Sequence, residues 1–307
     1  GLRLNLDVGQ QSSRNVFRNF VPAFVSRGVV QISAYIDSFI ASWLPGGSVA
    51  TLSYAQVLYT LPVSLFGMAV TAAELPVMSS AVGSVDEVAS YLRGRLDGGL
   101  ERIAFFIIPS AAAFLALGDV LSAVLFESGK FTQRDSVWVW EVLAGSTVGL
   151  LASTWARLYS STFYALRDTR TPLKFALVRV TLNSFLGYFA ALHLPRLLHI
   201  DPRFGVAALT AASGIAACIE FDLLRTAMTR RIGPTSIARG HNLKLLFGAA
   251  LAAAIAWGFK LGLSGVPRFW MAVMVLLAFG ASYLTVTTIL GIREARALTG
   301  RLLRRVS

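Results

Sequence analysis

Apolar residues fall into eight blocks, 17–44, 50–80, 100–124, 135–163, 172–194, 205–228, 243–263 and 269–291. Each is near or above the roughly 20 residues a helix needs to cross a bilayer. An even number of crossings returns the chain to the side it started from. The first block, taken from residue 16, carries Arg27, Gln31 and Asp37 inside an otherwise greasy run. A charge at mid-bilayer costs about 2.5–3.5 kcal/mol on insertion scales, so these side chains call for a polar interior. At about 100° per residue, Arg27, Gln31, Ala34, Ser38 and Ser42 fall within about 80° of one another, while Phe24, Ile32, Ile36, Phe39 and Trp43 lie largely elsewhere. Such a stripe lines a wet cavity or glues helices together without any ligand.

The second block is interrupted by Pro62, Gly67 and Pro76. A proline inside a helix removes a hydrogen bond, so a kink is expected here, of the kind at which carriers hinge. Ser53, Gln56 and Thr60 recur at helical spacing as a second polar stripe, and Glu74 near the end of the block reads as a residue of the membrane interface. In the later blocks Arg157 and Arg179 sit where they can snorkel, which favours structural roles. Asn183 and Thr210 are hard oxygen donors that, with Asp37, suit a sodium ion, although ordinary interhelical hydrogen bonds explain them as well. Glu220 and Asp222, beside Arg225, read as the exit of the sixth block to water. The last two blocks have almost nothing polar at their centres and are fit to face lipid.

The connections carry ordinary punctuation. Pro45-Gly46-Gly47 is a tight turn. Ser84 with Glu87 predicts a capping box for a short amphipathic interfacial helix over 85–96, Thr132 with Asp135 gives a similar start, and Thr171-Pro172 reads as N-cap and first helical residue. The tail, 292–306, sets Ala295, Leu298, Leu302 and Val306 near one face with arginines around them, as an interfacial helix on anionic lipid would.

Composition narrows the class. At 55% hydrophobic and 14% charged residues, with mean hydropathy +0.63, this is a polytopic membrane protein. The net charge of +12 comes from Lys and Arg lying between apolar runs, without a nucleic-acid recognition motif. If the N-terminal side of the membrane is one face, 19 of these cations lie on it and 6 on the other, which makes both termini cytoplasmic. The lone cysteine, Cys218, excludes an internal disulfide; His193, His199 and His241 are scattered without HExxH spacing, so no metal centre is expected. No P-loop occurs. The chain opens at Gly1 on a polar leader, as a fragment or a processed chain would.

Four motifs, QISAYIDSFIASWLP, LSYAQVLYTLPVSLFGMAV, LFESGKFTQRD and FYALRDTRTPLK, stand in this order. Together they resemble the MurJ (MviN) lipid II flippases of the multidrug/oligosaccharidyl-lipid/polysaccharide exporter superfamily, most strongly from Gln31 to Lys174. The resemblance implies an all-α polytopic protein of fourteen transmembrane helices in two lobes, of which this chain would supply the last eight. Residues 1–15 would be a leader or inter-lobe linker, 16–230 a six-helix C-terminal lobe, 231–291 two added helices and 292–307 a basic cytoplasmic tail. On that likeness Arg27, Gln31, Asp37, Ser38, Gln56 and Thr60 would line a cavity for the diphosphate and sugar-peptide head group, and 243–263 with 269–290 would form a groove for the polyprenyl tail. Members of that family commonly carry an Asp-Arg pair followed by Glu where this chain has Gln56, Val57 and Thr60, so an arginine gives way to valine.

The implied function is a flippase of the bacterial inner membrane, moving lipid II by alternating access, with an undecaprenyl-type pyrophosphate lipid, membrane lipids and the N-terminal lobe as partners and no nucleic acid. Sodium or proton coupling through Asp37 is compatible with it, and no cofactor is implied. Val57 keeps two alternatives open: a flippase for another polyprenyl-pyrophosphate-linked glycan, or a membrane interaction protein that does not transport. A membrane enzyme would need a nucleophile or an acid-base pair, and no HExxH, GxSxG or clustered carboxylates supply one.

Overall fold

The computed structural model describes Gly28 and residues 31–235, 239–263 and 265–306, with backbone alone for 239 and 301–306. The described residues form helices and connections, with no strand among them. Helix α1 covers 31–41. Helix α2 (Ser48–Pro62) runs through a π-helical segment, Val63–Met68, into α3 (Ala69–Ser79). Then follow α4 (Val85–Phe126), α5 (Gln133–Thr147), α6 (Leu150–Ala165), α7 (Arg170–Leu192), α8 (Leu194–Leu197), α9 (Phe204–Ile232), α10 (Arg239–Gly262), α11 (Arg268–Ile289) and α12 (Arg293–Val306). Among the described residues six helical segments are long and apolar enough to cross a membrane, or seven if the bent α5–α6 pair is one span. The first apolar block, with Arg27, lies largely outside the described residues.

Two helices organise the packing. Helix α9 lies along α7, α5 and α6, while α4 lies against α5, α6 and α10. The α10–α11 pair is held to α4 by small and apolar side chains: Leu245, Ala249, Ala252 and Ala256 recur every three or four residues and are buried. The Tyr283 hydroxyl adds a hydrogen bond to the Phe105 carbonyl of α4, at 2.7 Å.

Three local expectations change. The Ser84–Glu87 capping box forms, with the Ser84 amide donating to Glu87 at 2.8 Å. The helix it starts does not end near residue 96; it continues into the third apolar block as one helix of 42 residues, about 63 Å long. Leu92, Leu96 and Leu100 are buried, and Gly99 lets Leu158 of α6 come so close that an added Cβ would lie 2.7 Å from its Cδ2. One face of the segment, with Leu92 and Leu96, is therefore packed against protein, while Val85, Asp86, Glu87, Ser90 and Tyr91 stay exposed. In the second block the bend at Pro62 is absorbed by the π-helical segment, and Ser48–Ser79 runs on as a single candidate span. The sharp break, 48°, falls instead between α5 and α6. There a Cβ on Gly149 would collide with the Gly214 backbone of α9, so the broken span meets its neighbour backbone to backbone.

The third change is at α7. Its cap is Asp168, not Thr171: Oδ1 accepts the amides of Arg170 (3.1 Å) and Thr171 (3.0 Å), and Oδ2 accepts the Thr171 hydroxyl (2.8 Å). Arg231 of α9 closes on the same carboxylate at 2.6 Å. Burial pushes the Asp168 carboxyl up, but the Thr171 hydrogen bonds and the Arg231 charge outweigh it and hold it below the ordinary carboxylate range.

Candidate functional site

The polar residues of the apolar blocks converge on one cavity of about 710 Å³, walled by α1, α2, the π-helical segment, the α5–α6 pair, α7 and α9. Asp37 and Ser38 reach it from α1, Gln56 and Thr60 from α2. Each hydroxyl on these stripes satisfies itself on its own helix, Ser38 on the Ala34 carbonyl at 3.0 Å and Thr60 on that of Gln56 at 2.7 Å. That keeps the wall polar without tying it to a neighbour. Gln31 is exposed and stands outside this wall. Arg27 lies outside the described residues.

Asp37 is fixed from behind. Asn183 of α7, fully buried, donates its amide nitrogen to Asp37 Oδ1 at 2.8 Å and to Ser33 Oγ at 3.0 Å, while its own Oδ1 has no hydrogen-bond partner among the described residues. Thr210 borders the same cavity, but its hydroxyl bonds to the Val142 and Ala207 carbonyls at 2.9 and 3.0 Å. Of the three oxygen donors considered for sodium, Asp37 and Asn183 are in contact. Among the described residues no hydrogen bond links Thr210 to either.

Two cations expected to snorkel turn inward. Arg179 of α7 donates to Glu220 of α9 at 2.9 Å, and both are mostly buried, at 20% and 8% side-chain exposure. Glu220 is thus an interior residue in the middle of α9, not an exit to water. Arg157 of α6 borders the cavity as well. Helical periodicity identified the polar stripes of α1 and α2; the structural role expected of Arg179 fits its ion pair with Glu220, while the place of both arginines on the cavity wall is new. The penalty for a charge at membrane depth, applied to them as it was to Arg27, is the signal that would have placed them inside.

Glu74, expected at the membrane interface, is enclosed by protein. It is 1% exposed and takes Arg95 at 2.7 Å and Arg102 at 3.2 Å, both from α4, away from the cavity wall. On the α10–α11 side, Lys260 pairs with Asp119 at 2.6 Å, and Arg268 pairs with Glu127. Among the described residues no cluster of His, Cys, Asp and Glu could hold a metal ion of the kind those side chains ligate together.

With this geometry in hand, comparison with known proteins is specific. The family described as "Lipid II flippase MurJ" matches residues 1–286. The chain is 30% identical over 291 residues to the lipid II flippase MurJ of Burkholderia cenocepacia, covering 92% of this chain and 54% of that protein. It is 26% identical to the probable lipid II flippase MurJ of Vibrio cholerae, covering 89% and 51%. Its fold is similar to that of a solved structure, "Lipid II flippase MurJ, inward closed conformation", with TM-score 0.70 and 24% identity over 88% of this chain and 53% of that one. The chain spans about half the length of the curated relatives it matches.

Proposed function

We propose, from the premise that this chain belongs to the lipid II flippase MurJ family, that it is the C-terminal part of a transporter that moves a lipid-linked peptidoglycan precursor across the bacterial inner membrane. The observation that carries this reading is the polar cavity among the candidate spans, with Asp37 of α1, Arg157 of α6 and Arg179 of α7 on its wall. A polyprenyl-diphosphate head group needs cations and N–H donors in a low-dielectric pocket, and guanidinium groups supply them bidentately. The substrate emerges chemically unchanged, as flipping requires, and the protein acts as a transporter rather than an enzyme.

In this reading the chain supplies eight spans with both termini cytoplasmic, residues 16–230 forming the lobe and 231–291 the two added helices. Leu243, Leu246, Phe247 and Leu251 on α10, with Leu277 on α11, keep apolar surface exposed for the polyprenyl tail. Gln31, Tyr35, Val57 and Thr60 are exposed on α1 and α2, where the other lobe would complete the cavity. Coupling to sodium or protons would run through Asp37, which Asn183 holds through its amide nitrogen and which lines the cavity. A second reading, another polyprenyl-diphosphate-linked glycan as cargo, is favoured by Val57, which leaves the cavity wall apolar at 54% exposure where the family usually carries arginine.

The test uses the complete protein. Arg27→Ala and Asp37→Ala should each abolish growth of a flippase-depleted strain while inserting normally into membranes. Wild-type growth from both variants removes this site assignment. Chromatography of lipid II after incubation should return it intact, and a cleaved product would turn the reading toward an enzyme.

A further inference from the structure

The two arginines on the cavity wall, Arg157 and Arg179, are not equivalent. Arg179 is matched by Glu220 at 2.9 Å. Arg157 makes no ion pair and no hydrogen bond among the described residues, although it sits on the same cavity wall. Its neighbours along α6, Trp155, Ala156, Leu158 and Tyr159, are all buried, so α6 is packed on nearly every side. Arg157 itself is exposed and lines the cavity.

The charges around it do not cancel its own. Its electrostatic neighbours are Tyr59, Arg179 and Glu220. Glu220 is already engaged by Arg179, and across the cavity Asp37 is held by Asn183. A free guanidinium at this depth is costly unless it meets water or an anion, and its planar fork matches phosphate oxygens two at a time. Structural arginines in this chain look different: Arg95, Arg102, Arg231 and Arg268 each have a carboxylate.

We infer that Arg157 is a direct ligand for the anionic head of the cargo, a group from this chain that grips its diphosphate. The inference rests on the flippase reading above and assigns to that site a residue outside the polar stripes of α1 and α2. It also explains how the α2 wall can carry valine at position 57: a cation from α6 faces the same space.

Native mass spectrometry of the complete protein in detergent micelles tests it, with undecaprenyl diphosphate as the probe and undecaprenol as the neutral control. The wild-type protein should prefer the diphosphate. Arg157→Gln should weaken diphosphate binding about 10- to 100-fold and leave undecaprenol binding unchanged. Arg157→Lys should fall between, having charge but no fork. Adding Val57→Arg to Arg157→Gln should recover part of the loss, because residue 57 is exposed in the same cavity. The apparent melting temperature of Arg157→Gln should not fall, since no ion pair is removed. Wild-type diphosphate binding retained by Arg157→Gln overturns this inference alone, as does a parallel loss of both ligands with a lowered melting temperature. A wild-type protein that shows no preference for the diphosphate overturns the flippase reading, and this inference with it.

Discussion

Two buried glutamates, each met by arginine, sit in opposite kinds of surroundings. Glu74 takes two guanidinium groups from α4, and the surplus charge is turned outward, Arg95 and Arg102 being 35% and 46% exposed. Glu220 takes one, Arg179, and a further arginine beside it, Arg157, is left over on the cavity wall. The first cluster is closed: every group in it has a protein partner, and it locks α3 to α4. The second is open, with its unmatched charge turned inward. In a chain of this hydropathy, the presence of a buried ion pair says little about function; the side to which its excess charge points says more.

Substitutions can break that contrast. The largest effect should come from Glu74→Ala, which leaves two arginines without their carboxylate. Breaking a buried pair costs about 3–5 kcal/mol, and because both arginines already reach solvent, roughly 2–3 kcal/mol is expected here. A thermal shift of the purified complete protein should show it as a clearly lowered melting temperature, with transport per folded molecule little changed. Glu220→Gln should be milder, about 1 kcal/mol, because glutamine still accepts from Arg179 and cavity water solvates what is left. Transport assayed in vesicles should nevertheless fall more for Glu220→Gln than for Glu74→Ala. Equal loss of stability in the two would mean that the cavity cluster is as closed as the other.

The smallest effect should be at Asp168, which marks the boundary between the two behaviours by pairing with Arg231 at the surface. Its carboxyl is held below the ordinary range, so its contribution is present above the unfolded value, about 3.9, and is lost as pH falls through the folded one. Asp168→Asn retains an oxygen for the α7 amides but loses the charge. Its melting temperature should lie slightly below wild type at pH 7, and the gap should close as the solution is acidified below about pH 4. A gap that stays constant to lower pH would mean that Arg231 contributes nothing through charge.

Much of this was readable from residue order, for identifiable reasons. Hydropathy located the spans because a bilayer leaves little freedom in length and composition. Side-chain periodicity puts Ser38 on one polar stripe and Gln56 with Thr60 on another because a helix fixes which residues share a face, and the family likeness turns those stripes toward a cavity that all three line. What it does not fix is the partner opposite that face. Arg179 and Glu220 are 41 residues apart, and Asn183 and Asp37 are 146 apart. Nothing local announces such pairs, so Arg179 was assigned to snorkelling and Glu220 to a helix exit. The α5–α6 break was hidden for a similar reason. Val148 and Gly149 are unremarkable in a sequence, and the close approach of Gly149 to Gly214 at the break involves a helix three elements further on than α6. The prolines of the second block are the conspicuous breakers; a π-helical segment follows Pro62, and Pro76 lies inside α3.

Helix α4 touches both sides of the molecule. Its 42 residues are one continuous rod that bears on α5 and α6 behind the cavity and carries α10 and α11 on another face. A rod about 63 Å long that leans by roughly 5° about its midpoint shifts each tip by nearly 3 Å. The chamber and the outlying helix pair therefore share one support, so that a tilt of this helix about its midpoint would be felt on both sides.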